Sequence, residues 1–191
     1  MVQTPVKPLT LEEFLAMPET KPASEYFEGK ISQKPMPQGE HSTIQVELAS
    51  AINSGLKNQK VAAAFTELRC TFDGSSIVPD ISVFIWNRIP RKENGRVENA
   101  FLIAPDWTIE ILSPGKKHSK VIKKILRCLE NDTQMGWLIS PTEDAVYVYR
   151  VGQHPVIYDL ADNSPETVLP VPEFAGDFKL TIGELFAWLV I

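Results

Sequence analysis

Cysteine and histidine are scarce in this sequence of 191 residues. It has two cysteines, Cys70 and Cys128, and three histidines. Two cysteines so far apart form neither a disulfide framework nor a metal-binding spacing, so we expect both to be free, buried thiols in a reducing cytoplasm. The sequence also lacks a glycine-rich phosphate loop, a His-rich metal motif and a G-x-S-x-G turn, which argues against most familiar enzyme classes.

Long apolar runs and an excess of basic residues are absent as well. No stretch approaches the ~20 consecutive apolar residues of a membrane span. The first ten residues lack the basic and apolar segments of a secretory signal. The net charge of −5 and the pI of 5.3 argue against a protein that coats nucleic acid without sequence preference. We therefore expect a cytoplasmic protein with no membrane partner.

The composition is that of a globular chain, with 43% hydrophobic and 23% charged residues. A chain of this length usually forms one domain with one core. We expect a single domain over residues 1–191, with residues 1–8 as a loose N-terminal tail.

Four helices are predicted. Thr10 and Glu13 form a capping box that opens a helix over residues 11–17, and Thr181 and Glu184 form another near the C-terminus. Helices are also predicted over residues 42–56 and 119–130. The first of these two carries an apolar stripe with a spacing of four residues: Ile44, Leu48, Ile52 and Leu56.

Strands alternate with these helices. A hairpin is predicted within residues 24–37, with Gly29 near its turn, and residues 61–72 favour β-structure around a polar middle. The strongest strand signals are then 81–86, 107–112, 136–139, 145–150 and, more weakly, 156–160. Residues 107–139 read as a strand–helix–strand unit, so the pattern predicts an α/β or α+β domain with a mixed central sheet.

Two carboxylates stand in unusual positions on these strands. Asp80 precedes the apolar run ISVFIW, and Glu110 lies inside the run WTIEIL. If the strands are neighbours, both carboxylates converge on one divalent cation, and hard oxygen ligands suit Mg²⁺ or Mn²⁺. The pattern equally allows Glu110 to point to solvent from a half-covered strand.

The helix that follows Glu110 is rich in lysine. Lys124 lies one turn after Lys120, and a lysine beside a metal and a phosphate offsets the charge that develops in an in-line displacement. Most of the basic residues in this segment fit a solvated helix face, and together they fit a local phosphate-binding strip: Lys116, Lys117, Lys120, Lys123, Lys124 and Arg127.

An ordered set of segments resembles a known family. The segments are LTLEEFLAMPE (9–19), EYFEGKI (25–31), PMPQGEHS (35–42), Pro79-Asp80, APDWTIEILSP (104–114), GWLISP (136–141) and VYVYR (146–150). Together they resemble the Uma-two family of candidate restriction endonucleases, abundant in cyanobacteria and part of the PD-(D/E)XK nuclease superfamily. The resemblance covers about residues 9–150.

The resemblance implies a restriction-endonuclease-like core and Mg²⁺-dependent hydrolysis of double-stranded DNA, commonly by a homodimer. By position, Asp80 and Glu110 match the metal ligands, and Lys124 matches the lysine that this family takes from the following helix. Glu25 matches a glutamate that serves as an outer ligand or positions a water. His41 matches a histidine that contacts phosphate or assists proton transfer. Lys117, Lys120, Lys124 and Arg127 are then the candidate DNA contacts.

Some of these residues also fit positions without a functional role. His41 also fits a polar residue near a helix N-terminus, and Glu25 fits a solvated hairpin charge. Glu67 is another candidate acid beside the metal, for which a surface strand position is the better fit.

Three residues depart from the family pattern. Lys120 stands where an Asp is common, Cys128 where an aromatic residue is common, and Ser140 where an Asp precedes the proline. These changes leave open an active enzyme with altered preference and a degraded nuclease fold that acts as a nucleic-acid or protein interaction module. A metal-dependent hydrolase of small molecules is a third, weaker hypothesis.

Overall fold

The computed structural model of the protein describes residues 9–113 and 118–190. The helices are α1 (Leu11–Leu15), α2 (Gly39–Leu56), α3 (His118–Leu129) and α4 (Ile182–Ala187). The strands are β1 (Ser24–Phe27), β2 (Lys30–Gln33), β3 (Ala62–Thr66), β4 (Cys70–Phe72), β5 (Ser75–Ile77), β6 (Ile81–Ile85), β7 (Trp107–Ile111), β8 (Met135–Ser140), β9 (Ala145–Arg150) and β10 (Val156–Asp159). Short 3-10 turns lie at Trp86–Arg88, Pro141–Glu143 and Glu173–Ala175.

These strands form two sheets. The larger sheet has the order β10-β9-β8-β7-β6-β3, and the smaller has the order β2-β1-β5-β4. In the larger sheet β7 and β8 run parallel, because α3 carries the chain back between them, while the other neighbouring pairs are antiparallel. The protein is therefore a mixed α/β fold whose mixed central sheet is flanked by helices, which confirms the predicted fold class.

Helices cover both faces of the central sheet. Ile109 of β7 and Trp137 of β8 belong to one buried cluster with the apolar stripe of α2 and with residues of α4. Leu138 of β8 points the other way, into a second cluster with Val121 and Ile125 of α3. Because side chains alternate along a strand, Glu110 shares the α3 side of β7 with its register partner Leu138.

The predicted elements match the structure closely. Both capping boxes, at Thr10 and at Thr181, are present with both of their hydrogen bonds. All four residues of the α2 stripe are at most 1% exposed. None of the described helices is long and apolar enough to cross a membrane.

One segment predicted to favour β-structure is divided between the two sheets. Residues 61–72 divide into β3, in the large sheet, and β4, in the small one. The break lies at Glu67, whose φ of 50° places a non-glycine residue in the left-handed region. The chain therefore passes from one sheet to the other beside Glu67.

Candidate active site

Asp80 is fully buried directly before β6. Its Oδ2 accepts a hydrogen bond from the backbone amide of Ile111, at 2.7 Å, and lies 3.1 Å from His41 Nε2. Its Oδ1 accepts a hydrogen bond from Lys34 Nζ at 2.7 Å. A charge at 0% exposure needs such partners, because an unpaired buried charge is costly.

Lys34 is the residue at this site that the sequence analysis missed. It follows β2, and its ammonium also donates to both carboxylate oxygens of Glu67, each at 2.9 Å, and to the carbonyl oxygen of Val78. Burial lowers the pKa of Lys34, but the charges of Asp80 and Glu110 outweigh this effect, so the pKa lies above its ordinary value. Lys34 therefore stays protonated at neutral pH.

Glu67 and Gln45 complete this side of the site. The Gln45 amide donates to Glu67 Oε1 at 3.0 Å and to the carbonyl oxygen of Asp80 at 2.8 Å. The Glu67 side chain is 43% exposed, in contrast to the 6% exposure of the Lys34 side chain that it contacts. Glu67 is thus the solvent-facing member of a largely buried ion network.

Glu110 is buried on β7 at 1% exposure, which decides between the two readings that the sequence allowed. Its Oε1 lies 2.8 Å from Lys124 Nζ of α3. The same ammonium donates to Glu25 Oε1 at 2.9 Å, and that oxygen also accepts from the backbone amide of Val78. Lys124 therefore joins a carboxylate of the large sheet to one of the small sheet.

The electrostatics of this pair are governed by burial. Burial raises the pKa of Glu110, the charge of Lys124 opposes the rise, and the charge of Asp80 adds to it, so that the net shift is upward. For Lys124, burial lowers the pKa. The charges of Glu110 and Glu25 raise it by more than burial lowers it, so the net shift is again upward. Burial thus disfavours the ionised form of Glu110 although Lys124 is nearby.

His41, on the first turn of α2, is buried rather than exposed on a loop. While its Nε2 faces Asp80, its Nδ1 has no hydrogen-bond partner within residues 9–113 and 118–190. The structure thus brings Asp80, Glu110, Lys124, Glu25 and His41 into one connected group, with Lys34 between Asp80 and Glu67.

A cavity of about 190 Å³ opens onto this group. Its walls include Lys34, His41, Gln45, Glu67 and Asp80. Glu110, Glu25 and Lys124 do not line it. The site is therefore approached from the side of Lys34 and His41.

The predicted basic strip on α3 is largely paired with acids. Arg127 Nη1 lies 2.7 Å from Asp73, and Lys123 Nζ lies 3.0 Å from Glu28. Lys120 is exposed, Lys124 is buried in the site, and Lys117 lies outside the described residues. By their spacing Lys120, Lys124 and Arg127 lie on one face of α3, but of these three only Lys120 is exposed.

The three departures from the family pattern have separate surroundings. Lys120 points to solvent. Cys128 packs in an apolar cluster with Cys70 and Phe101. Ser140 is buried at the end of β8. The ion pair between Lys124 and Glu110 forms with all three in place.

Among the described residues, no group of three or more His, Cys, Asp and Glu side chains is arranged to hold a metal ion. Two features nevertheless fit a divalent cation. Glu110 Oε2 is a buried carboxylate oxygen without a hydrogen-bond partner in the described part of the chain. When all groups are ionised, four carboxylates (Glu25, Glu67, Asp80 and Glu110) face two ammonium groups (Lys34 and Lys124), an excess of two negative charges.

Such a site suits Mg²⁺ because this ion usually keeps several waters and binds one or two carboxylates together with substrate phosphates. Asp80 and Glu110 would supply those two carboxylates. A set of three protein ligands is therefore not required.

Comparison with known proteins identifies the family. Residues 11–183 match the model of the Uma2 family, which is described as "Putative restriction endonuclease". The chain belongs to the Uma2 family. The crystal structure of a putative nuclease belonging to DUF820 from Anabaena variabilis is similar, with a TM-score of 0.92 and 61% sequence identity. That similarity covers 96% of this chain and 100% of the Anabaena chain. No curated protein matches the sequence.

Membership in the Uma2 family and the nuclease neighbour support a nuclease function for this chain. They also agree with the order of elements around the site, since the Asp80 strand, the Glu110 strand and the Lys124 helix are consecutive parts of the matched region.

Proposed function

We propose that the protein is a metal-dependent endonuclease that hydrolyses phosphodiester bonds of double-stranded DNA. The observation that carries this proposal is the buried pair of carboxylates on neighbouring strands, Asp80 and Glu110, each held by its own lysine. The family supplies the nuclease class, and the net negative charge of the site supports a divalent cation.

Asp80 and Glu110 would hold Mg²⁺ or Mn²⁺. When bound, the cation supplies Lewis-acid chemistry at a phosphoryl oxygen. The Ile111 amide and His41 orient the Asp80 carboxylate, while Lys124 orients Glu110 and places a positive charge behind it. This charge offsets negative charge that develops on the phosphate, because electrostatic effects are strong in a buried site.

Glu25 and His41 have distinct roles in this proposal. Glu25 accepts a second contact from the Lys124 ammonium, beside that of Glu110, and is itself held by the Val78 amide. The buried Nδ1 of His41 has no hydrogen-bond partner among residues 9–113 and 118–190, so it can donate to or accept from a water at that atom.

The test is cleavage of supercoiled plasmid and of linear duplex by the purified protein with Mg²⁺ or Mn²⁺. We expect conversion to nicked and linear products, abolished by EDTA. Glu110→Gln keeps the shape of the side chain and removes its charge, so it should lower the cleavage rate by at least roughly a hundredfold.

The matched control is Glu47→Gln, which makes the same change on an exposed position of α2. It should cleave at the rate of the unmodified protein. The proposal fails if the unmodified protein leaves DNA intact, or if Glu110→Gln and Glu47→Gln cleave equally well.

The homodimer implied by the resemblance stays a prediction, tested by light scattering at assay concentrations. The alternative of a non-catalytic interaction module depends on the basic residues of α3, of which Arg127 and Lys123 are paired with Asp73 and Glu28.

A further inference from the structure

Two buried lysines serve this site, but only one of them faces the cavity. Lys124 contacts Glu110 and Glu25 and is not part of the cavity wall. Lys34 lines the cavity beside Asp80 and Glu67. An anion that enters the cavity therefore has Lys34 and the exposed Lys21 as its lysine contacts, whereas Lys124 acts on it only through its charge.

The three acceptor groups around Lys34 differ in how easily they are replaced. The fully buried Asp80 and the Val78 carbonyl accept hydrogen bonds from the ammonium, at 2.7 and 2.9 Å. Glu67 holds it from the cavity side, and its carboxylate is partly exposed. Water screens the exposed carboxylate of Glu67 more than the buried one of Asp80, so of the two ion pairs the one with Glu67 is more easily replaced.

Glu67 also resembles a phosphate in what it offers. Its two oxygens both lie 2.9 Å from the ammonium, and one of them accepts a further hydrogen bond from Gln45. A phosphodiester presents two such negatively charged oxygens.

We propose that Lys34 is the phosphate-binding residue of the cavity and that the carboxylate of Glu67 occupies the position of a phosphate group until DNA displaces it. Gln45 then donates to the phosphate in the place of Glu67. This inference rests on the proposed nuclease function for its ligand, but it concerns binding of DNA and not cleavage.

The test is the affinity for a short fluorescent DNA duplex, measured by anisotropy in EDTA and at several salt concentrations. The two variants should change the affinity in opposite directions. Lys34→Met should weaken binding roughly tenfold and reduce the salt slope by about one. Glu67→Gln should tighten binding roughly threefold, because it removes the competing charge.

Matched controls separate these effects from a change in net charge. Lys30→Met removes the same charge from an exposed position of β2, and Glu47→Gln removes a carboxylate from an exposed position of α2. Both should bind DNA within about twofold of the unmodified protein, since an exposed charge outside the contact contributes little.

A damaged fold lowers affinity and does not raise it, so the sign of the Glu67→Gln effect decides the matter even if Lys34→Met folds poorly. The inference is overturned if Glu67→Gln binds no more tightly than Glu47→Gln. It is also overturned if a folded Lys34→Met equals Lys30→Met, or if the unmodified protein does not bind the duplex.

The nuclease proposal fails in a different way. Binding that responds to Lys34 and Glu67 without any cleavage would support this inference and contradict the proposed reaction. Cleavage that requires Glu110, together with binding that is unchanged in Glu67→Gln, would support the proposed reaction and contradict this inference.

Discussion

The backbone amide of Ile111 donates a 2.7 Å hydrogen bond to Asp80 Oδ2. Ile111 directly follows Glu110 on β7, so the carboxylate before β6 is attached to the strand that carries the other carboxylate. A shift of β7 therefore moves both acids together. The separation of the two proposed metal ligands is set by the sheet and not by flexible side chains alone.

Divalent metal should stabilise the folded protein through these two acids. At a metal concentration of 100 times the Kd, linkage predicts about 2.7 kcal/mol of added stability. Thermal unfolding with Mn²⁺ and then with EDTA measures it. Asp80→Asn should lose the response, whereas Asp177→Asn, at an exposed position, should keep it. Equal stabilisation of both variants would contradict the assignment of Asp80 as a ligand.

Removing Lys124 should destabilise the protein strongly. Lys124→Met leaves the buried carboxylates of Glu110 and Glu25 without their counter-ion, which costs about 3–5 kcal/mol in the free energy of unfolding. Urea denaturation measures the loss. Lys123→Met is the control on the same helix, since its pair with Glu28 is exposed and contributes at most about 1 kcal/mol.

A double variant tests whether uncompensated buried charge causes the loss of stability in Lys124→Met. In Glu110→Gln with Lys124→Met, one of the uncompensated charges is gone, so the loss should be smaller than the sum of the two single losses. Additive losses would mean that the 2.8 Å contact between these residues contributes little.

Gly136 fixes how closely α3 approaches the sheet. A Cβ atom at Gly136 would lie 2.3 Å from Cγ2 of Ile125, the residue next to Lys124. Gly136→Ala should therefore displace α3, cost about 1–3 kcal/mol of stability and lower DNA cleavage. Gly39→Ala meets no atom within 4 Å and should change neither quantity. An active, fully stable Gly136→Ala protein would refute this account of the helix position.

Neither cysteine should react in the folded protein. Burial raises the pKa of Cys70 to about 12, and burial followed by the nearby Cys70 raises the pKa of Cys128. The thiolate is the reactive form, and a raised pKa keeps both thiols protonated at pH 8. A thiol-specific chromogenic reagent should count no groups in the native protein and two after unfolding in urea. Rapid labelling of the native protein would show that one of them is accessible.

The parts of the fold that follow local rules were predictable. Capping boxes at Thr10 and Thr181 and the four-residue stripe of α2 depend on neighbours in the chain, and the structure confirms them. The strand–helix–strand unit over residues 107–139 is confirmed as β7, α3 and β8, with the two strands parallel.

The surroundings of the site were only partly predictable. Asp80 and Glu110 were recognisable because a carboxylate beside or inside an apolar strand needs a buried partner. Lys34 carried no such signal: it precedes a proline after an exposed strand, and its partners Glu67 and Asp80 lie 33 and 46 residues further along the chain. A sequence pattern reports spacing within one element, whereas these contacts depend on how two sheets meet.

The meeting of two sheets at Glu25 has a consequence for local opening of the protein. Glu25 belongs to β1, yet it is held by Lys124 of α3 and by the amide of Val78. Fraying of the hairpin therefore requires these charge-assisted contacts to break, and any ligand that stabilises Lys124 and Glu110 also slows the fraying. Amide hydrogen exchange along β1 and β2 would then report on events in a site whose cavity is lined by residues that flank these strands in the chain.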